Sequence, residues 1–222
     1  MFSVNNAARS SGITYQPVVE NVSDTAVFAT NVIFSEREKT LLSDAKLKLS
    51  NSNIIIGERH DAATARAFLI KLIEGRKVND IYLEFPDLEC DVFGGDGQVK
   101  LSAYLNEREY DALIQDSVFN EFSSDCSAIT GAVDNEIPLS KLMLIARYHD
   151  VKIHLIDNLI PKSKNILDRV KERNMGMATS FNSVKGDNKG VILVGANHCN
   201  LGENSLHNLC NIPEPSIYDL SI

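Results

Sequence analysis

Signatures that would name a function outright are missing from this sequence. It contains no Gly-x-Ser-x-Gly elbow, no P-loop, no Gly-x-Gly-x-x-Gly and no His-Glu-x-x-His. The serine-hydrolase, NTPase, dinucleotide-binding and zincin readings therefore lose their usual support. The four cysteines, Cys90, Cys126, Cys199 and Cys210, form no Cys-x-x-Cys pair. That spacing excludes a zinc ribbon and argues against a disulfide framework, leaving ordinary reduced thiols. No apolar run approaches the roughly 18 residues that a membrane span needs. The first residues, MFSVNNAARSSGITYQP, hold no apolar h-region, so no Sec signal peptide is expected. Basic stripes are lacking too. The densest stretch, 162–173, mixes both signs, and 30 acidic residues outnumber 22 basic ones to give a net charge of −8. Nucleic-acid binding by phosphate neutralisation is excluded on that balance. No internal repeat of 20 to 50 residues is visible.

What is present is a chain of 222 residues, 44% apolar and 23% charged. That is enough for one well-buried core and too short for two ordinary large domains. Residues 1–30 lack periodicity and are rich in Ser and Asn, so they read as a flexible N-terminal arm. Such arms also serve as type III secretion signals. Residues 31–222 read as a single α/β domain. Five short apolar, β-branched runs bounded by Gly, Pro, Asn or Asp predict buried strands at 53–57, 81–85, 151–156, 191–195 and 216–220. Helical patterns lie around them at 36–50, 61–75, 139–149 and 163–181. In the first, Leu41, Leu42, Ala45 and Leu47 form the apolar side. In the second, Asp61 can cap the start and Gly75 the end. This alternation predicts a mostly parallel central sheet flanked by helices. The stretch 86–138 is long for a crossover. It reads as an insertion, with helix around 101–122, that could cover a site.

Two strands end alike. Ile54-Ile55-Ile56 runs into Gly57-Glu58-Arg59-His60, and Ile192-Leu193-Val194 into Gly195-Ala196-Asn197-His198. Chance supplies roughly 0.3 Gly-x-x-His per chain with 12 Gly and 5 His, so two behind buried strands are informative. Each glycine is expected to let the chain turn. Ligands of open parallel sheets bind beyond the C-terminal strand ends, where both imidazoles would project. His60 would also meet the N-terminus of the next helix, which favours the neutral ring. Glu58 shares that strand end. Glu84, between Leu83 and Phe85, needs a partner if buried. Partial burial would raise its pKa and suit it to acid–base work. Asp157 ends the third strand, as a site residue or as a turn Asp before Pro161. Arg173, in Glu172-Arg173-Asn174-Met175, is either an anion-holding fork or a surface charge. His149, His154 and His207 read as structural.

These residues resemble the superfamily that joins the erythromycin esterases, the ChaN-like lipoproteins, the TIKI metalloproteases and a domain of the Pasteurella mitogenic toxin. The resemblance rests on Gly57-Glu58-Arg59-His60, Glu84, Glu172-Arg173-Asn174-Met175 and Gly195-Ala196-Asn197-His198. It spans residues 50 to 205, apart from 86–138. It implies a catalytic set of Glu58, His60, Glu84 and His198, with Arg173, Asn174, Asp157 and Asn197 supporting. The esterases space the first Glu and His one residue further apart. Size and the polar arm resemble the small effectors that plant-pathogenic bacteria inject by type III secretion, one of which triggers host cell death. The expected activity is ester or amide hydrolysis in a host cell, on a host protein or a small molecule, with His60 or Glu84 as general base. A divalent metal on His60, His198 and Glu84 is the variant that this donor set allows. The alternatives are a non-catalytic module that binds a ligand or host protein, and an antibiotic-inactivating esterase of the bacterial cytoplasm.

Overall fold

The computed structural model describes residues 32–91, 98–116, 119 and 137–221. The expected N-terminal arm and most of 117–136 lie outside these residues. In chain order the elements are α1 (Glu36–Lys48), β1 (Ile54–Glu58), α2 (Thr64–Glu74), β2 (Asp80–Leu83), β3 (Glu89–Asp91), β4 (Gln98–Lys100), α3 (Leu101–Asn106), α4 (Tyr110–Gln115), α5 (Leu139–Tyr148), β5 (Lys152–Leu155), α6 (Ile166–Val184), β6 (Gly190–Gly195), α7 (Leu206–Leu209) and β7 (Ile217–Asp219). Short 3-10 turns at Ala196–Cys199 and Glu214–Ser216 follow β6 and precede β7.

The five expected strands form one all-parallel sheet in the order β5-β2-β6-β1-β7. Side chains alternate across a strand, and here both faces are covered. Ile54, Ile56, Ile81, Leu83, Val191 and Leu193 pack on one face against α1, α2, α3 and α5. Ile55, Tyr82, Ile192 and Val194 pack on the other against Met177, Ala178 and Phe181 of α6 and Leu206 of α7. Burial on both faces is why these strands read as continuous apolar runs.

Local chemistry sets the helix starts. Ser35 and Glu38 form a reciprocal capping box at α1, and Asn165 accepts from Leu167 and Asp168 at α6. Three local expectations are corrected. Asp61 does not cap α2, which begins at Thr64; Asp61 instead pairs with Arg59 at 2.9 Å. On α1, Leu47 is exposed, and Leu49 just beyond the helix is buried in its place. Gly57 and Gly195 are not turn glycines, since among the described glycines only Gly202 has a positive φ. At Gly57 close approach matters instead: a Cβ there would sit 2.6 Å from Cys199 Sγ.

The segment 86–138 contributes more than a cover. Its β3–β4 pair is a separate antiparallel hairpin. Leu101, Tyr104 and Leu105 of α3 and Leu113 of α4 lie in the main core.

Candidate functional site at the strand ends

The topology converges the site. β6 inserts between β1 and β2, with Glu58 level with Gly195 and Leu83 level with Leu193. Glu84 follows directly, its N–H bonded to Leu193 O at 3.1 Å. Residues far apart in sequence thus meet at one sheet edge. His60 Nε2 and Glu84 Oε2 stand 3.2 and 3.4 Å from where a Cβ on Gly195 would be, so a side chain there would press on the His60 ring. The His60 ring and the Glu84 carboxylate thus both lie close to one glycine.

Glu84 is the hub. It accepts from the Gly195 N–H at 2.5 Å, stands 3.3 Å from His198 Nε2 and is ion-paired to Arg173. Arg173 also grips Asp157, through Nε at 3.3 Å and Nη2 at 2.5 Å. Behind His198, Asn174 Oδ1 lies 2.5 Å from Nδ1, and Asn174 Nδ2 donates to Asn204 O at 3.1 Å. His198 therefore faces an acceptor at each ring nitrogen. Burial pushes the Glu84 carboxyl up, but the His198 hydrogen bond, the charges of His198 and Arg173 and the Gly195 N–H outweigh it and hold it at about 2. The expectation of a raised pKa is overturned: Glu84 stays ionised at neutral pH.

The second carboxylate is equally engaged. Glu58 is buried, and Arg66 clamps it from α2 through Nε at 2.8 Å and Nη2 at 3.1 Å. Arg66 is 1% exposed and also donates to Ile137 O at 2.9 Å. Burial raises the Glu58 pKa, yet hydrogen bonds from His60 and Arg66 bring it below the ordinary value. His60 Nδ1 lies 2.8 Å from Glu58 Oε1. An ionised carboxylate only accepts, so Nδ1 carries the proton and the neutral ring keeps its lone pair on Nε2. Its pKa is raised, first by the Glu58 hydrogen bond against the opposing effect of burial. The helix-terminus expectation for His60 is thereby corrected. α2 starts four residues on, and the carboxylate at hydrogen-bond distance dominates.

Six of the eight expected residues thus converge: Glu58, His60, Glu84, His198, Arg173 and Asp157. Asn174 joins them as the positioner of His198. Asn197 does not join them. It is exposed on the 3-10 turn and lines a second hollow of about 330 Å3 with Leu167 and Asn200, which Asn174 lines as well. The residue missed from sequence is Arg66, although a signal existed. Its helical neighbours Leu69, Ile70 and Ile73 are apolar, so a charge on that face requires a buried partner. His154, read as structural, does have a partner, Asp80 at 2.8 Å, on the N-terminal side of the sheet. Cys199 and Cys210 are pushed up to about 12 by burial, which leaves them poor nucleophiles.

The donors of the metal variant are already engaged. Guanidinium groups already lie against both carboxylates, and they would repel a divalent cation. Among the described residues, no three His, Cys, Asp or Glu side chains stand where they could hold a metal ion. A cavity of about 730 Å3 opens at the site, with His60, Glu84, Asp157 and Arg173 and the apolar Pro86, Leu88, Leu159 and Ile160 in its lining. The side chain of His60 is 43% exposed and that of Arg173 30%, so these two meet whatever enters. Among the described residues, no helix is long and apolar enough to cross a membrane.

No family model matches this sequence, and no curated protein matches it. Among solved structures, one described as "Bacterial protein toxins" is similar at a TM-score of 0.45 and 15% identity, over 82% of this chain and 39% of that one. A likeness of that degree carries no inference about activity, and this chain spans less than half of that structure.

Proposed function

We propose that the protein is a hydrolase of ester or amide bonds in which His60 is the general base. The observation that supports this most is the Glu58–His60 pair. A buried carboxylate, itself clamped by Arg66, orients a half-exposed imidazole at the floor of a cavity. Nε2 takes a proton from water. The hydroxide so formed adds to the substrate carbonyl carbon, and the proton passes to the departing alcohol or amine, leaving a carboxylic acid. Arg173 faces the same cavity and supplies donors for the oxyanion of the tetrahedral intermediate. Glu84 and His198 hold Arg173 and Gly195 in register rather than exchanging protons.

The sequence resemblance supports the wider setting. The protein belongs with the erythromycin-esterase and ChaN-like superfamily, and it acts as a bacterial effector delivered into a host cell, where it provokes cell death. The test is hydrolysis of p-nitrophenyl butyrate by wild type and His60→Ala, alongside expression of both in leaf tissue. Loss of ~10²- to 10⁴-fold in kcat with an unchanged melting curve, and loss of cell death, is expected. Equal rates in both proteins, or no ester or amide cleaved by wild type, would sink the hydrolase reading.

A second reading has an observation of its own. Both buried carboxylates are saturated by arginine, as in a purely structural network. In that case the cavity binds a ligand or host protein without converting it, and cell death survives His60→Ala.

A further inference from the structure

Arg169 plays no part in the reading above, yet it lines the same cavity as His60 and Arg173. It lies four residues before Arg173 on α6, which puts both side chains on one face of that helix. The other bases of the lining are engaged: Arg173 by Glu84 and Asp157, His60 by Glu58, and Lys100 by Glu89 at 3.6 Å and Asp87 O at 3.3 Å. The lining carboxylates are engaged as well. Glu84 and Asp157 hold Arg173, and Asp87 accepts from the N–H and hydroxyl of Ser102, both at 2.8 Å. Arg169 is the one basic group of the lining whose side chain has no hydrogen bond or ion pair among the described residues. Arg169 is exposed at the cavity, and in a chain of net charge −8 its unpaired guanidinium is available to an anion that enters there. The same lining holds Leu88, Leu159 and Ile160, which stay 41%, 42% and 85% exposed and offer apolar surface to a ligand.

We propose that the ligand of this cavity carries an anionic oxo group, a carboxylate or a phosphate, which Arg169 binds, and an apolar body that lies on Leu88, Leu159 and Ile160. This substrate class rests on the hydrolase reading for its chemistry but not for its binding. The planar fork of Arg169 offers paired donors matched to two oxygens of either group. Arg169 is a specificity residue: it selects the substrate and touches no reacting atom.

Two esters differing only in a terminal carboxylate make the test, p-nitrophenyl butyrate and mono-p-nitrophenyl glutarate. Wild type is expected to favour the glutarate by ~10-fold or more in kcat/KM, with the advantage carried by KM. Arg169→Gln brings the ratio of the two esters close to one, and Arg169→Glu inverts it. Because a ratio is read, partial misfolding of a variant cancels. A wild-type ratio near one, or one that Arg169→Glu leaves unmoved, overturns the proposal. If wild type cleaves neither ester, titration calorimetry with glutarate and with inorganic phosphate separates the two ideas. Binding of either anion that weakens ~10-fold or more in Arg169→Glu upholds the anion site while the hydrolase reading falls, and which anion binds names the group. No binding of either overturns the anion site itself.

Discussion

Replacing Glu84 by Gln removes one charge from the centre of the site while keeping its shape. The wild-type carboxyl is held at about 2 against an ordinary value of 4.5. A depressed carboxylate supplies stability that is fully present above its unfolded pKa and is lost as pH falls through the folded one. A difference of roughly two and a half pH units corresponds to about 3 kcal/mol at neutral pH. The side chain is only 6% exposed, so solvent screening takes little from that figure. Protonation of the unfolded chain begins near pH 5, and about 2 kcal/mol of the contribution is gone by pH 3. Glutamine cannot titrate. Urea unfolding at pH 7, 5 and 3 should therefore show Glu84→Gln less stable than wild type at pH 7, with the gap narrowing by about 2 kcal/mol at pH 3. Glu58 and the other carboxyls titrate in both proteins and cancel in the difference. A gap that stays constant from pH 7 to pH 3 would refute the ion-pair account of Glu84.

The remaining predictions concern the Glu58 side of the site. Arg66→Ala strands the buried Glu58 carboxylate and should cost about 3–5 kcal/mol in chemical unfolding, while the double change Glu58→Gln with Arg66→Met should recover part of that loss. The His60 titration followed by NMR should show a midpoint above 6.5 that moves down in Glu58→Gln, because the hydrogen bond that raises it is weakened. Since the base must be neutral to accept a proton, kcat/KM should rise with pH through that raised midpoint, and an unshifted midpoint in Glu58→Gln would separate the two residues. Gly195→Ala puts a methyl 3.2 Å from His60 Nε2 and 3.4 Å from Glu84 Oε2, so hydrolysis should fall ~10-fold or more with a melting point lowered by a few degrees at most.

The sheet was legible because it is parallel and covered on both faces. Such strands read as unbroken β-branched runs, and all five runs became strands within a few residues of the expected bounds. The order of those strands was not legible. Nothing local in 190–195 says that this last long strand enters between β1 and β2, yet that insertion brings Gly195 beside Glu84. The 86–138 stretch was harder for another reason. The two helices at Leu101–Asn106 and Tyr110–Gln115 are only six residues long each, and their apolar residues serve the core of other elements, so no full helical period repeats in them.

At the site, position was easier to read than charge. The residues were found because strand ends of a parallel sheet converge, and this holds whatever the residues do there. Protonation depends instead on partners that arrive from elsewhere in the chain: Arg66 eight residues after Glu58, and Arg173 eighty-nine after Glu84. With burial alone both glutamates would rise toward neutrality and could share the acid–base work. His60 hydrogen-bonds Glu58 and His198 hydrogen-bonds Glu84, and with a guanidinium added to each both glutamates stay anionic; in the proposed mechanism the working proton then falls to the group that is half exposed and oriented by a carboxylate. That group is His60. On that proposal the histidines and arginines together turn what reads as a carboxylate pair into an imidazole site.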